Sequence, residues 1–419
     1  MNEDLLQFIW SMQLLETNAL FTSDNEKIEI LQAGTLNTNA GPDFLHAKIK
    51  IGDTIWAGHI EIHIKASDWK LHAHQTDPAF NNVILHVVLM DDGYDNGIPV
   101  LELNGKIPGR LLNKYAAMMQ TAAWIPCEKH INQFPEIKWK SWLQRLTAER
   151  LEQKALHIEE RLHYNKNDWE ETCYQLIARS FGAPINSDAM EQVANALPLK
   201  TILRHKNDPT QVEALIFGTA GFLESSYKEL YPHKLQSEYR FLKNKFELIA
   251  PSLQWKFSRL RPASFPTIRL SQLAALICKT DALFDKLILQ NDVKKMESVF
   301  AIHPGEYWKE HYHFKKAAKV SVSGLGKSTI QIILMNTVAP IKYLYGLKNG
   351  KQEMIDDAIA LLEKLKPEKN SIIANWAQLG FTAMNAAESQ AMIQLKKEYC
   401  DNRNCLHCHV GYFVLGMQE

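Results

Sequence analysis

The sequence predicts an α+β protein, in which an N-terminal α/β domain is followed by a large all-helical domain. Two observations support this fold class. Over about the first 125 residues, an amphipathic segment precedes short apolar or alternating runs that are typical of β-strands. From about residue 139 onward, apolar residues recur at helical spacing between loops that contain proline and glycine. We therefore expect an α/β domain at residues 1–125 and a helical domain at residues 135–419.

Local patterns define the elements of the α/β domain. A first helix is expected where Leu5, Ile9 and Trp10 recur at helical spacing. Gly52 and Asp53 suit a two-residue turn, which predicts a β-hairpin around them. The expected strands are residues 26–31, 44–51, 54–65, 81–92 and 98–103, and a second helix is expected at residues 109–120.

Composition excludes several classes of protein. The 419 residues contain 47 basic and 47 acidic side chains, so the zero net charge does not by itself indicate a polyanionic partner. With 46% hydrophobic and 22% charged residues, the chain is typical of a soluble globular protein. The N terminus lacks the basic start of a secretion signal, and no apolar run reaches the ~18–20 residues of a membrane span. We therefore expect a cytoplasmic protein without a membrane partner.

The predicted hairpin has one apolar face and one face with an unusual set of polar groups. Pairing of Ile51 with Thr54 fixes which side chains share a face. The apolar face, which we expect to pack on a core, carries Leu45, Ala47, Ile49 and Ile51. The opposite face collects groups that bind metals or transfer protons, namely His59, Glu61, His63 and Lys65, with His46 facing His59.

Metal-assisted attack on a phosphodiester is the chemistry that this grouping favours. The carboxylates of Asp43 and Glu61 suit Mg²⁺ or Mn²⁺, which bind mainly oxygen ligands. His63 or Lys65 would then position water or stabilise charge in the transition state. A regular first strand places Asp43 on the apolar side, so we expect a bulge or loop at Gly41-Pro42 to turn it.

Two other interpretations of these residues are open. A histidine-rich site for Zn, Fe or Mn would draw on His72, His74 and Asp77 of the following loop together with His59 and His63. Alternatively, the polar hairpin face is an ordinary solvated sheet surface, Asp77 serves a turn, and His86 is a hydrogen-bonded histidine of the core.

The motif resembles that of the PD-(D/E)XK nucleases, through Pro42-Asp43 and Glu61-x-His63 on the next strand. The resemblance implies a nuclease-like central mixed sheet, metal coordination by Asp43 and Glu61, and nucleic acid as the partner. The chain departs from the motif at the lysine position, which His63 occupies. Lys65 lies two residues farther along the strand.

A broader resemblance, to an uncharacterised bacterial family, domain-of-unknown-function family 2851, extends over essentially the whole chain. Four stretches carry it: AGPDF at 40–44, WAGHIEIHIKASDW at 56–69, the histidine-containing run at 72–88, and YCDNRNCLHCHVG at 399–411. This resemblance implies a family relationship and no established activity.

The last chemical signal is a cysteine cluster, Cys400-x4-Cys405-x2-Cys408. Its spacing suits a structural zinc site, with His407, His409 or Cys127 as the fourth ligand. It also suits an iron–sulfur cluster, whose demand for thiolates favours Cys127. Some nucleases of the PD-(D/E)XK group are closed by an iron–sulfur staple that joins an early cysteine to three late ones. Three ordinary cysteines at a helix end are the third interpretation.

These observations lead to two functional hypotheses. The first is a metal-dependent phosphodiester hydrolase that is nuclease-like and acts on nucleic acid. The second is a non-catalytic nucleic-acid-binding or interaction protein that retains the fold. The dense set of polar groups on one face favours the enzyme, and the missing lysine favours the second hypothesis.

Overall fold

A computed structural model describes residues 1–16, 20–317 and 324–417. The chain divides into two compact units, of which the first combines Met1–Lys140 with Leu395–Glu419 and the second is Ser141–Gln394. The predicted α+β class is confirmed, because a mixed sheet near the N terminus is followed by a helical region. The units differ from the predicted domains at the C terminus, where residues 395–419 belong to the first unit.

In the described part of the first unit, seven strands form one sheet, whose order is β1-β2-β4-β5-β6-β7 with β3 also paired to β4. The pairs β5–β6 and β6–β7 are parallel, and the other pairs are antiparallel. The strands are β1 (Leu20–Phe21), β2 (Lys27–Gln32), β3 (Thr35–Leu36), β4 (Phe44–Ile51), β5 (Thr54–Lys65), β6 (Val83–Met90) and β7 (Val100–Glu102), and the second unit adds β8 (His311–His313) and β9 (Lys316–Ala317).

Helices account for most of the remaining structure. The α-helices are α1 (Glu3–Ser11), α2 (Asp68–Leu71), α3 (Gly109–Gln120), α4 (Glu136–Tyr164), α5 (Trp169–Phe181), α6 (Ser187–Ala196), α7 (Leu199–Leu203), α8 (Pro209–Thr219), α9 (Leu230–Phe246), α10 (Pro266–Lys279), α11 (Leu283–Leu287), α12 (Val293–Val299), α13 (Glu306–Lys309), α14 (Lys327–Ile333), α15 (Ala339–Lys348), α16 (Gln352–Lys364), α17 (Ser371–Gln378), α18 (Ala386–Gln394) and α19 (His409–Gly416). A π-helical turn covers Leu395–Cys400.

The predicted hairpin strands are confirmed at their predicted bounds, 44–51 and 54–65. The register is also confirmed near the turn, where Ile51 pairs with Thr54 and Ala47 with Gly58. It shifts farther along, so that Phe44 lies opposite Ile60. Phe44 is therefore fully buried, whereas the predicted core residue Leu45 is only half-buried.

The register shift corrects the predicted position of the bulge. It falls between Phe44 and Ala47, where His46 has a left-handed backbone with φ of +59°. The prediction had placed the irregularity at Gly41-Pro42. An extra residue in one strand reverses the alternation of faces. The bulge thus turns Asp43 away from the apolar side.

The link between β5 and β6 crosses over the sheet, as parallel pairing requires. It contains α2 and two short 3₁₀ turns, His74–Thr76 and Pro78–Phe80. Helix α1 packs against β5 as well. The central strand β5 is therefore overlaid by two elements that carry polar side chains.

In its described residues, 141–317 and 324–394, the second unit has helices joined by loops and turns, and its only strands are those of the small β8–β9 hairpin. A large apolar core fills it, including the stacked rings of Phe217 and Trp308, whose centroids are 4.8 Å apart. Throughout the described residues of both units, no helix combines the length and apolar character needed to cross a membrane.

A substitution at Gly58 of β5 tests how closely the hairpin packs on its neighbours. A Cβ at this position would lie 2.4 Å from Ile84 Cγ2 and 2.5 Å from the carbonyl oxygen of Asn82. Gly58→Ala should therefore lower the free energy of unfolding by about 1–3 kcal/mol, as measured by urea denaturation. Gly109→Ala, at the start of α3, is the control, since a Cβ there would meet no neighbouring atom of the described residues within 4 Å. Equal stability of the two variants would contradict this packing.

Candidate functional site

The bulge in β4 brings Asp43 and Glu61 together. The backbone N–H of Asp43 donates a hydrogen bond of 3.0 Å to Glu61 Oε2. The Asp43 carboxylate accepts from the backbone N–H of Ile62 at 2.9 Å and from Gln7 Nε2 of α1 at 2.9 Å. The two carboxylates that the sequence singled out are thus neighbours on adjacent strands.

Burial makes this pair of acids electrostatically costly. Loss of solvent raises the pKa of Asp43 and of Glu61 above their ordinary values, and the charge of Asp43 raises the pKa of Glu61 further. Glu3 of α1 adds a third carboxylate, whose pKa burial also raises and which accepts from the backbone N–H of Ile64. Three carboxyl groups this close together favour the binding of a cation between them.

Three histidines meet the same carboxylates. One ring nitrogen from each of His63, His72 and His74 lies within 4.8 Å of the other two. The Nε2 atoms of His63 and His74 are 3.4 Å and 3.2 Å from Glu61 Oε1. The acidic site and the histidine-rich site, which were alternatives in the sequence, therefore share one location.

His74 has an uncommitted nitrogen at this location. Its Nε2 is buried and has no hydrogen-bond partner, because its 3.2 Å approach to Glu61 Oε1 lacks hydrogen-bond geometry. Burial lowers the pKa of His74, which keeps the imidazole neutral. A neutral imidazole nitrogen beside a carboxylate is suited to bind a metal ion.

A chain of hydrogen bonds fixes the proton positions on the buried histidines. Asn96 Oδ1 accepts from the backbone N–H of Ile98 at 3.0 Å, so its amide nitrogen donates to His86 Nδ1 at 3.2 Å. His86 then donates from Nε2 to His63 Nδ1 at 2.8 Å. His63 accordingly carries its proton on Nε2, which faces His72 Nδ1 at 3.1 Å.

Burial keeps these two histidines neutral. It lowers the pKa of His63 to about 3 and that of His86 to about 4, with the neighbouring imidazoles as the next causes. His63 is thus a neutral hydrogen-bond donor, whose Nε2 faces His72 Nδ1 and lies 3.4 Å from Glu61 Oε1. His86 is a buried, hydrogen-bonded histidine of the core, as one interpretation of the sequence held.

Other predicted residues lie apart from the cluster. His59 faces His46, with ring centroids 6.0 Å apart, and accepts from the backbone N–H of His46. Lys65 is exposed, and its charge acts, after hydrogen bonds from Ser67, to lower the pKa of Asp92. Asp77 caps a short 3₁₀ turn. Among the predicted residues, the site thus comprises Asp43, Glu61, His63, His72 and His74.

Sequence reasoning missed three contributors. Glu3 and Gln7 are half-buried polar positions of α1, one helical turn apart on the same face as Ser11, and this spacing was the available signal. Asn96 lies in the loop before β7 and gave no local signal. All three act through contacts between residues far apart in the chain.

The donor set fits a divalent transition metal. Glu61 Oε1 lies 3.2 Å from the open nitrogen of His74, and ring nitrogens of His63, His72 and His74 lie within 4.8 Å of one another, so the cluster offers both oxygen and nitrogen ligands. Such a set suits Mn²⁺, Zn²⁺ or Fe²⁺ better than Mg²⁺, which prefers oxygen ligands alone.

Glu61→Gln tests the electrostatic cost of the site. A raised pKa in the folded state means that Glu61 contributes favourably below its unfolded value of about 4.3, and that this contribution is lost as the pH rises. The metal-free variant should therefore melt higher than the wild type at about pH 8 by at least ~3 °C, which corresponds to roughly 2–3 kcal/mol in a chain of this length.

Two further measurements sharpen this test. The difference in Tm should vanish near pH 4, and Mn²⁺ should raise the Tm of the wild type more than that of the variant. Glu29→Gln, at an exposed position in β2 of the same sheet, serves as the matched control and should change little. A wild type that is more stable than Glu61→Gln at high pH without metal would refute the assignment.

Comparison with known proteins gives a family and no function. No curated protein and no solved structure matches the chain significantly. Residues 3–371 match a family described as "Protein of unknown function (DUF2851)", and this range includes every residue of the site. Since the match covers most of the 419 residues, the chain belongs to the DUF2851 family.

Proposed function

We propose that the first unit is a divalent-metal-dependent phosphodiester hydrolase that acts on nucleic acid. The observation that supports it is the junction of Asp43, Glu61 and the unpartnered nitrogen of His74 beside the donor His63. The sequence resemblance to PD-(D/E)XK nucleases, whose metal ligands match Asp43 and Glu61, adds the substrate class.

The residues have separable tasks in this proposal. Asp43, Glu61 and His74 would hold Mn²⁺, which would supply an acidified water and neutralise charge on the phosphate. Gln7 and the Ile62 N–H fix the Asp43 carboxylate in place. These contacts leave the other carboxylate lone pairs available for a metal.

His63 takes the position of the missing lysine. The chain from Asn96 through His86 places its proton on Nε2, which donates to His72 Nδ1 at 3.1 Å and lies 3.4 Å from Glu61 Oε1. A fixed donor stabilises negative charge on a phosphoryl oxygen without reorganising as the reaction proceeds. Its neutrality distinguishes it from a lysine, because His63 donates a hydrogen bond and supplies no formal charge.

Hydrolysis assays test the proposal directly. Single- and double-stranded DNA, RNA and a simple aryl phosphodiester are incubated with the protein and Mn²⁺ or Mg²⁺. Asp43→Asn and Glu61→Gln should each lower kcat by about 100-fold or more, since each removes a charged ligand. Glu29→Gln and His59→Ala, both away from the cluster, should retain activity.

The second candidate function is a nucleic-acid-binding protein without catalysis. Lys65 is exposed and lies near Asp92, so it does not supply a cationic side chain to the site. This position favours the binding protein over the hydrolase. Binding of DNA or RNA with no hydrolysis of any substrate in either metal would support this candidate and reject the hydrolase.

Asn96→Asp tests the role of the histidine chain. An aspartate accepts where the amide donated, so His86 would carry its proton on Nδ1 and His63 Nε2 would lose its proton. We expect kcat to fall by about 10- to 100-fold while KM changes little, as is typical of residues that orient a site. Unchanged kcat in a folded variant would exclude the proton assignment.

A further inference from the structure

Four cysteines converge in the first unit, at a place separate from the histidine cluster. Cys127 follows α3 in the chain, Cys400 ends the π-helical turn, and Cys405 and Cys408 lie between that turn and α19. All four side chains are at most 8% exposed. The sulfurs of Cys127, Cys400 and Cys405 are not bridged by disulfides.

Contacts outside the sulfurs hold the two segments together. The guanidinium of Arg403 donates to the carbonyl oxygens of Met118 at 3.1 Å and Thr121 at 2.9 Å. The ammonium of Lys396 lies 5.2 Å from the ring centroid of Trp124. The loop that bears the three late cysteines is thus attached to the stretch that leads into Cys127.

The thiols also share one electrostatic environment. Burial is the first cause that raises the pKa of Cys127, Cys400 and Cys405, and the other cysteines of the group are the next cause in each case. Gly411 shapes this environment, because a Cβ there would lie 2.3 Å from the carbonyl oxygen of Cys405. By contrast, Cys173 is buried without another cysteine among the causes of its pKa shift, as expected of a residue that only fills a core.

The spacing of the sulfurs distinguishes two kinds of metal centre. A tetrahedral zinc with Zn–S bonds of about 2.3 Å holds its four sulfurs about 3.8 Å apart. Among the described residues, His63, His72 and His74 form the one group of metal-binding side chains whose ligand atoms lie within 4.8 Å of one another. No three of the four sulfurs are therefore so close. An iron–sulfur cluster separates its thiolates more widely. In a [4Fe–4S] cluster each thiolate binds a different iron atom, and in a [2Fe–2S] cluster two thiolates bind each of the two iron atoms.

We propose that Cys127, Cys400, Cys405 and Cys408 bind an iron–sulfur cluster that joins the two segments of the first unit. The proposal is independent of hydrolysis at the histidine cluster. The role of this centre is structural. It fixes the start of α19, whose Tyr412 packs on α1 with its ring 4.9 Å from that of Phe8 and its hydroxyl 3.2 Å from Ser11 Oγ.

Metal analysis of the anaerobically purified protein tests the proposal. We expect iron and acid-labile sulfide in equal amounts, about two to four of each per chain, together with the broad visible absorption of such clusters. Cys127→Ser and Cys405→Ser should lose most of the iron. Cys278→Ala, at a half-buried cysteine of the second unit, is the matched control and should retain it.

Each alternative result has a defined meaning. One zinc per chain with no iron or sulfide overturns the iron–sulfur assignment, and iron that survives in Cys127→Ser overturns the joining of the two segments. If the serine variants fail to fold, the test is made on the wild-type protein. Oxidative removal of its iron should speed proteolysis after residue 395, and an unchanged cleavage rate would overturn the structural role.

Discussion

The burial of two adjacent carboxyl groups constrains the first unit more than any other interaction. Asp43, which is half-buried, and Glu61, which is buried, are neighbours with limited access to water, so two negative charges there repel each other and are poorly solvated. Hydrogen bonds from the Ile62 N–H and from Gln7 stabilise charge on Asp43. Glu61 must therefore either remain protonated or bind a cation together with Asp43. The bulge at His46 creates this choice, because it turns Asp43 toward Glu61.

Helix α1 connects this constraint to the rest of the unit. Its apolar residues are buried, while Glu3 and Gln7 reach the carboxylates and Phe8 and Ser11 contact Tyr412 of α19. The geometry of the acids therefore depends on a helix that is itself supported by the C-terminal segment. The side chains of β5 and the position of α19 therefore depend on the same helix, α1.

Sequence patterns predicted the parts of this structure that local chemistry determines. The strands 44–51 and 54–65 follow from alternation around a Gly-Asp turn, and both are confirmed. The bulge was misplaced because His46 adopts a left-handed backbone that glycine usually supplies. Glu3, Asn96 and the meeting of His74 with Glu61 depend on contacts across the crossover and across α1, which no local pattern records. Residues 395–419 were grouped with the helical domain since helical periodicity continues toward them, and periodicity does not identify the packing partner.

The division of the first unit has a consequence for biosynthesis. Residues 141–394 must all be translated between its two segments, so α19 emerges on the order of 10–50 s after the sheet at common elongation rates. During that interval the face of α1 that receives Tyr412 is without its final cover. A nascent chain that stalls before residue 400 has the sheet acids but not the segment that supports α1. Synthesis of α19 would thus act as a checkpoint, since only a chain that includes α19 covers the face of α1 that lies beside Tyr412.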